Sequence, residues 1–582
     1  MGTPADSKTR ILKFGSSVLR MESDLPDVAA EVYRHFRSGT RLVVVVSAFR
    51  GRTDHLCRLA AGLDDRSPAR AALLGSGELE AAAAVAVALE RCGLPARYIE
   101  PGSIGITAEG DRAEAWPTKV EPRAIAGALA SHEIPVVPGY VARDEAGEPS
   151  LLGRGGSDLT AIALGAALNA ETVLIKGAGA VFEWDPEEAG PPPGRFLKLG
   201  FDEALALGDR VIQPRAIRYA RENGIPFRCT GLRSLETTHI VTGAGRAELT
   251  HEPIRKRSQP ARIALLGLGT VGGGVASLLA RDPDRYELVG ALVRNSHKRR
   301  DFAPRDLPIT TDVDRLLDSN PDIVVETLGG VDRPLDLAQR SIRSGADCIT
   351  ANKALLAHHG LELERLASTH GRRILGSACV GGALPALELV AHASSIGRVV
   401  RIRGVLNGTT NYVLEQCAAG ATLDEASDQA RALGYAEADL SGDLGGEDAG
   451  YKIMLLARAL GHAIDGLHDV QREALTDAAC AAPSGKVRRQ VAECDLTSDQ
   501  PSASVRLVDL DPADPLVVAG AGNTIAVTLD TGAVIRVKAQ GAGRWPTAQS
   551  VVSDIDDLID GTIARSDLRV QTSSAISKGT EP

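Results

Sequence analysis

Between Ala264 and Val275 the chain reads ALLGLGTVGGGV, and this stretch decides the fold of the second half. An apolar run, Ile263 to Leu266, leads into Gly267, Gly269 and Gly272, and a helical pattern takes over from Val275 to Leu279. A strand, a tight turn and a helix with this glycine spacing form the context of a dinucleotide fingerprint. Glycines let the backbone come close to a pyrophosphate, and the helix start turns free amides and a positive dipole end toward it. Thr270 and Val271 lie inside the same turn and count with the three glycines as cofactor-binding positions. A second glycine-rich stretch, LGRGGSD at Leu152–Asp158, precedes a small-residue helix, Leu159 to Leu168. It is of another kind, an anion-binding helix start equipped with an arginine fork and a carboxylate. Two unlike signatures point to two active sites on one chain.

Length and composition set the frame. The 582 residues suffice for about three or four domains. A hydrophobic share of 44% and a charged share of 24% are those of an ordinary globular protein, and no apolar stretch reads as long enough to span a bilayer. The first ten residues, MGTPADSKTR, lack an apolar core and a cleavage site, so the expected location is the cytoplasm, with no membrane partner. Eight cysteines scattered from Cys57 to Cys494 without a CxxC pair fit reduced thiols rather than a zinc site, and no metal site is assigned. A net charge of −10 disfavours nucleic acid. Small-molecule chemistry is the expectation.

Strand-like runs recur between helical patterns: Ile11–Phe14, Leu42–Val46, Pro135–Val137, Thr172–Ile175, Pro226–Cys229, Ile263–Leu266, Leu288–Val293 and Ile323–Glu326. Alternating strands and helices imply an α/β fold with parallel sheets. The polar stretch from Gly243 to Pro260, GAGRAELTHEPIRKRSQP, reads as a linker. The domains predicted are 8–243, a linker at 244–260, a dinucleotide-binding domain at 261–378, an α+β catalytic domain at 379–540, a segment at 541–562 returning to the dinucleotide domain, and a flexible tail at 563–582.

In the first half Lys13 ends a strand and is followed by Phe14-Gly15-Ser16-Ser17, an arrangement suited to a polyphosphate. A second strand ends in Ser47-Ala48 and leads to Thr53, placing hydroxyls where open α/β sheets bind ligands. Together with the segments ILKFGSSV, VVVVSAFRGRTDHL, GSGELE, VVPGY, LGRGGSD, FEWDP and VIQPRAIRYARENGIPF, this region resembles the amino-acid kinase superfamily, and specifically aspartate kinase, over Arg10 to Leu232. The resemblance implies that Lys13 faces the transferring phosphate, that Ser47, Thr53, Glu78 and Arg154 hold L-aspartate, and that Asp158 organises the phosphate region, with ATP and Mg²⁺ as cosubstrate and ion. A carboxylate nucleophile is already ionised at neutral pH, so transfer needs alignment and charge neutralisation rather than a general base. The chain departs from the family on the nucleotide side. It has KFGSSV for KFGGTS, Lys176-Gly177 for a Thr-Asp pair, Glu187 for a basic residue, and Arg210 where a lysine near the phosphates is usual.

In the second half a lysine follows the strand-like Cys348-Ile349-Thr350 in Thr350-Ala351-Asn352-Lys353. Five acids, Glu437, Asp439, Asp443, Glu447 and Asp448, precede Lys452, which opens an apolar helix, Ile453 to Leu456. Asp448 and Lys452, four apart, share a helix face. With GLGTVGGGV, TLGG at Thr327–Gly330, TANKALLA, VGGALP, VLNGTTNYVL, GYAEADLSGDLGGEDAGYK and GAGRWPTAQSVVSDI in order, the region resembles homoserine dehydrogenase over Ala261 to Ile559. The resemblance implies that Lys353 and Lys452 flank the reacting carbon, that Asp448 orients Lys452, that Glu437 and Asp443 hold substrate, and that Thr327 and Gly543 complete the cofactor site. Two lysines in one desolvated site are expected to lower each other's pKa. The second strand of the dinucleotide sheet ends not in an acid but in Arg294, followed by His297, Lys298, Arg299 and Arg300. Positive charge there suits a 2′-phosphate, so NADP(H) is expected ahead of NAD. Ser377 replaces a glutamate that often serves a monovalent cation, leaving that ion unassigned, and Leu440 replaces a proline in the substrate loop.

The two resemblances together imply a bifunctional enzyme acting on L-aspartate, L-aspartate 4-semialdehyde and L-homoserine, as a homodimer or higher homo-oligomer. Only a short stretch separates Thr242 from Arg262, so no regulatory ligand module fits between the halves and weak inhibition by threonine and lysine is expected. Two alternatives stay open: a dehydrogenase carrying a degenerate kinase fold, and an oxidoreductase for a related amino-acid semialdehyde.

Overall fold

The computed structural model describes residues 9–186, 188, 191–208, 212–234, 236–243, 247–252, 259–300, 302–435, 439–480, 484–498 and 500–561. The chain folds as two compact units that divide near residue 256.

In the N-terminal unit β-branched runs such as Arg41–Val46, RLVVVV, bury every side chain but the first, as strands covered on both faces must. Thr9–Phe14 lies between Arg41–Val46 and Glu171–Ile175, parallel to both, at the centre of a nine-stranded sheet. The expected strands are present, most of them longer by one or two residues at an end. The carboxyl ends of these three strands carry Lys13, Ser47 and Lys176 to one edge, where the chain's strand order reverses and open α/β sheets bind ligands. The helix Gly156–Ala167 is buried through almost its whole length. Two expectations need correction. Within the region read as a linker, Glu248–Thr250 forms a strand pairing antiparallel with Arg195–Gly200, because its backbone satisfies an open sheet edge whatever its side chains. The helix Pro68–Arg91 is long and apolar enough, by length and composition, to cross a bilayer. Here it packs on the sheet through Leu74, Ala81, Val85 and Leu89 and delivers Glu78 to a cavity.

The C-terminal unit contains a parallel six-stranded sheet. Numbered along the chain, its strands run 3-2-1-4-5-6, the dinucleotide-binding order, with the switch point between Ala261–Leu266 and Ile323–Glu326. The fingerprint helix runs Thr270–Leu279, starting five residues before the sequence pattern suggested, because Gly272, Gly273 and Gly274 are helical rather than part of the turn. The returning segment is a helix, Arg544–Asp560, whose Ala548, Val551, Val552 and Ile555 share one core with Val275 and Leu279. Between these lies a second six-stranded sheet, antiparallel except where Val470–Arg472 pairs with Ser502–Leu510. Parallel pairing inferred from alternating elements therefore does not extend to it, and its region is α+β.

Candidate active sites

In the C-terminal unit the fingerprint is built as its spacing requires. Gly267 has φ +100°, and a Cβ on Gly272 would lie 2.3 Å from the Gly267 carbonyl oxygen, so helix and strand approach only with glycine there. Gly269 caps the helix start, and Thr270 and Val271 form its first turn. Across the switch point the Thr327 hydroxyl donates to the Leu266 and Gly267 carbonyls at 3.3 Å. Gly543 precedes the returning helix, and Arg544 donates to the Thr270 carbonyl at 3.2 Å while stacking on Phe302. Arg294 and Lys298 are exposed just beyond the Tyr286–Leu292 strand, and Arg300 folds back onto the carbonyls of Asn295 and Lys298.

The residues expected to carry the chemistry converge from three helix starts. Asn352 caps Lys353–Thr369, accepting from the Leu355 amide at 3.1 Å, and so places Lys353 in the first turn. Asn407 caps Gly408–Ala418 in the same way through Thr410. Asp448 lies in the first turn of Glu447–Ala459, and Lys452, expected to open that helix, sits one turn further in. Asp448 is clasped between two ammonium groups, Lys353 at 2.7 Å and Lys452 at 2.6 Å. Asn407 Nδ2 donates to Asp448 at 2.9 Å and to Asp443 at 2.6 Å, and Lys452 donates to the Leu406 carbonyl at 2.6 Å.

This geometry corrects the expected electrostatics. The lysines do not face each other bare; the Asp448 carboxylate between them holds Lys353 above its usual value. Asp448 is held far below the usual carboxylate range by Lys452 and Lys353 despite the opposing cost of burial. Burial raises Asp443, reinforced by Asp448. Glu437 lies outside the described residues, and so do Glu187 and Arg210. Leu440 is buried, and the Ser377 amide donates to Asp554 at 3.0 Å.

In the N-terminal unit a cavity of about 870 Å³ collects Lys13, Ser47, Thr53, Glu78, Arg154 and Asp158. Thr53 belongs to the first turn of the helix Arg52–Leu59 rather than to a strand end, and Arg154 is exposed at the wall. Gly155, at φ +78°, starts the Gly156–Ala167 helix, and a Cβ on it would strike Gln213 at 2.3 Å. Asp158 is again a clasped carboxylate, with Lys13 at 2.6 Å and Lys176 at 2.6 Å, all three largely buried. Burial outweighs the attraction of Asp158 and lowers Lys13 to about 8, while Asp158 falls to about 2 under the pull of Lys13 and Lys176, which more than offsets its burial. Burial pushes Glu78 up to about 8; one of its oxygens accepts the Ala48 amide at 3.3 Å.

Sequence reasoning assigned no role to three residues that the structure places in these sites. Lys176 was read only as a departure from a pattern. Asn407 bridges the two catalytic-domain acids, and its signal was an Asn-Gly-Thr helix start directly after a strand. Glu326 ends the apolar strand Ile323–Glu326 fully buried. It accepts the Leu328 amide at 2.6 Å and the Thr350 hydroxyl, which in turn accepts the Asn352 amide at 2.9 Å. Burial raises Glu326 to about 7. An acid closing an otherwise apolar run was the available signal.

Comparison with known proteins agrees with this division. A family model for homoserine dehydrogenase matches residues 385–555, its NAD-binding domain model matches 267–376, and the amino acid kinase family model matches 8–231. The homoserine dehydrogenase of Synechocystis sp. is 35% identical over 329 residues, spanning 53% of this chain and 75% of that protein. That of Mycobacterium leprae is 33% identical over 316 residues, 50% of this chain and 71% of the relative. The solved structure of a homoserine dehydrogenase from Thiobacillus denitrificans aligns with a TM-score of 0.48 at 30% identity, over 52% of this chain and 73% of that one. The chain belongs to the homoserine dehydrogenase family and carries an amino acid kinase family domain ahead of its dehydrogenase half.

Proposed function

We propose that the C-terminal unit interconverts L-aspartate 4-semialdehyde and L-homoserine with NADP(H), and that the N-terminal unit phosphorylates L-aspartate with ATP to 4-phospho-L-aspartate. The observation that carries the first reaction is the Lys353–Asp448–Lys452 clasp in the same unit as a glycine fingerprint whose close approach only glycine allows. The nicotinamide cofactor, when bound, gives or takes the hydride. Gly267, Gly269, Thr270, Val271 and Gly272 would hold its pyrophosphate, Thr327 and Gly543 would border it, and Arg294 with Lys298 would meet a 2′-phosphate. In the reductive direction the aldehyde oxygen becomes an alkoxide that needs a proton. Lys452 spends two of its three N–H groups on Leu406 and Asp448, which fixes the direction of the third. Lys353, held protonated by Asp448, supplies the second positive charge. Asp443 and Glu437 would bind the substrate's amino group. In the oxidative direction a lysine must take up the hydroxyl proton, so that direction gains with rising pH.

For the kinase reaction, an oxygen of the aspartate β-carboxylate bonds to the γ-phosphorus as the bond from that phosphorus to the bridging oxygen breaks, and ADP leaves with the electron pair. Lys13 faces the charge passing through the transferred group, Asp158 holds Lys13, and Ser47, Thr53, Glu78 and Arg154 position aspartate. The test is ATP-dependent aspartyl hydroxamate formation alongside NADP⁺ reduction by L-homoserine on one preparation. One observation favours a second reading for this unit, a kinase fold without kinase activity: Lys176 stands against Asp158 where the family has the nucleoside-side Thr-Asp pair. Dehydrogenase activity without hydroxamate formation would select it.

A further inference from the structure

We infer that Lys176 makes the N-terminal cavity a site for the β- and γ-phosphates of a nucleoside triphosphate bound without a divalent cation. The inference rests on the nucleotide-binding part of the kinase reading and deepens it. Lys13 and Lys176 leave the carboxyl ends of adjacent parallel strands, Thr9–Phe14 and Glu171–Ile175, in which Lys13 is in register with Leu174. Each ammonium lies 2.6 Å from a different oxygen of Asp158. A magnesium ion in such a site is usually held through one or two carboxylates together with the phosphates and water. Here the central carboxylate has both oxygens committed to ammonium groups, and an added dication would sit against two positive charges. The other buried acid on the cavity wall, Glu78, gives one oxygen to the Ala48 amide, and its remaining oxygen is buried without a partner. Among the described residues no group of three or more His, Cys, Asp or Glu side chains is placed to hold a metal ion. The residues present therefore do not fit a resident Mg²⁺.

They do fit an anion. Lys13, Lys176 and Asp158 sum to one positive charge at the inner end of a cavity of about 870 Å³, room enough for a nucleoside triphosphate. The Ser17 hydroxyl accepts the Gly177 amide at 3.0 Å, which ties the loop after Lys13 to the loop after Lys176. Gly155 and Gly156 begin a helix at the same wall, and its free amides add donors without charge. The Glu78 oxygen left without a partner is a further polar group open to a ligand. Lys176 is thus a phosphate-binding residue in which the chain carries, covalently, part of the positive charge that a metal ion would supply.

Calorimetric titration of the full chain with ATP, and separately with inorganic tripolyphosphate, in EDTA and in excess Mg²⁺ tests this. The wild-type protein is expected to bind ATP in EDTA within about threefold of its affinity with Mg²⁺. Lys176→Thr is expected to lose about tenfold or more in EDTA and to regain part of it with Mg²⁺, whereas Lys176→Arg stays metal-independent. Wild-type binding that weakens about tenfold or more on removing Mg²⁺ overturns the inference, and so does Lys176→Thr binding as tightly as wild type in EDTA. A thermal melt reports whether each variant is folded; if Lys176→Thr is not, the wild-type and Lys176→Arg comparison decides alone. Tripolyphosphate bound in EDTA without ATP binding overturns the nucleotide site, and with it the kinase reading, and leaves a site for polyphosphate alone. Failure of both anions with and without Mg²⁺ overturns both.

Discussion

The two halves of this chain hold the same three groups, a carboxylate clasped by two lysines, and one lysine of each clasp, Lys353 and Lys13, is shifted in the opposite sense to the other. In the C-terminal unit the Lys353 side chain keeps 41% of its exposure, so attraction to Asp448 outweighs loss of hydration and its pKa rises. In the N-terminal unit the Lys13 side chain keeps 4%, burial outweighs Asp158, and the lysine falls to about 8. An ion pair's geometry alone does not fix the protonation of its members; the water left to each partner does. The consequence is functional. In the proposed reactions the C-terminal clasp would keep an ammonium group charged for an alkoxide, while in the N-terminal clasp a bound anion would strengthen the charge that burial weakens on Lys13.

The sharpest way to break the comparison is to remove each carboxylate. Asp448→Asn leaves two ammonium groups facing each other and is expected to lower kcat for homoserine oxidation by a factor on the order of 10²–10⁴. NADPH binding followed by fluorescence should be little changed; loss of cofactor binding instead would place Asp448 in the fold rather than in the chemistry. The second test is pH. Without a bound anion Lys13 is protonated below about 8 and loses its charge above it, so hydroxamate formation at subsaturating ATP should fall about tenfold between pH 7 and 9. Homoserine oxidation, which needs a lysine as base, should rise over the same range, and parallel profiles would erase the distinction between the clasps. Of similar size is the effect of Arg294→Ala, expected to raise KM for NADP⁺ about tenfold while leaving KM for NAD⁺ unchanged. Equal effects on both cofactors would exclude a 2′-phosphate contact.

Glu326, which has no proposed contact with substrate or cofactor, shows the same balance of burial and charge through stability alone. Its folded value, about 7, lies above the usual 4.5, so the protonated form is favoured on folding. The stabilisation is complete below about 4.5 and is lost as pH rises to about 7, by roughly 3 kcal/mol at most. Denaturant melts of wild type and Glu326→Gln across that window should show the slope in the first and not in the second.

Much of this was legible in the sequence because it is local. Ile263 to Gly272 announces strand, turn and helix within ten residues, and the spacing of Asp448 and Lys452 sets both on one helix face. What was not legible depends on distant pairing. Lys176 meets Asp158 only because Glu171–Ile175 lies beside Thr9–Phe14. Lys353 and Lys452, far apart in the chain, share the Asp448 carboxylate, which reverses for Lys353 the pKa shift expected from two lysines alone. The strand Glu248–Thr250 was hidden because three largely exposed residues carry no buried apolar pattern, and their place is set by backbone pairing with Arg195–Gly200. The glycines of the fingerprint helix were read as turn because glycine disfavours helices, and tight packing, such as that of Gly272 against Gly267, overrides that preference.

The most direct test of the central claim, that each clasp serves its own reaction, is to measure NADP⁺ reduction by L-homoserine and ATP-dependent aspartyl hydroxamate formation on wild type, Asp448→Asn and Asp158→Asn. Both activities are expected in wild type, with loss of only the first in Asp448→Asn and of only the second in Asp158→Asn. Asp448→Asn protein that is folded and reduces NADP⁺ within about tenfold of wild type would contradict it.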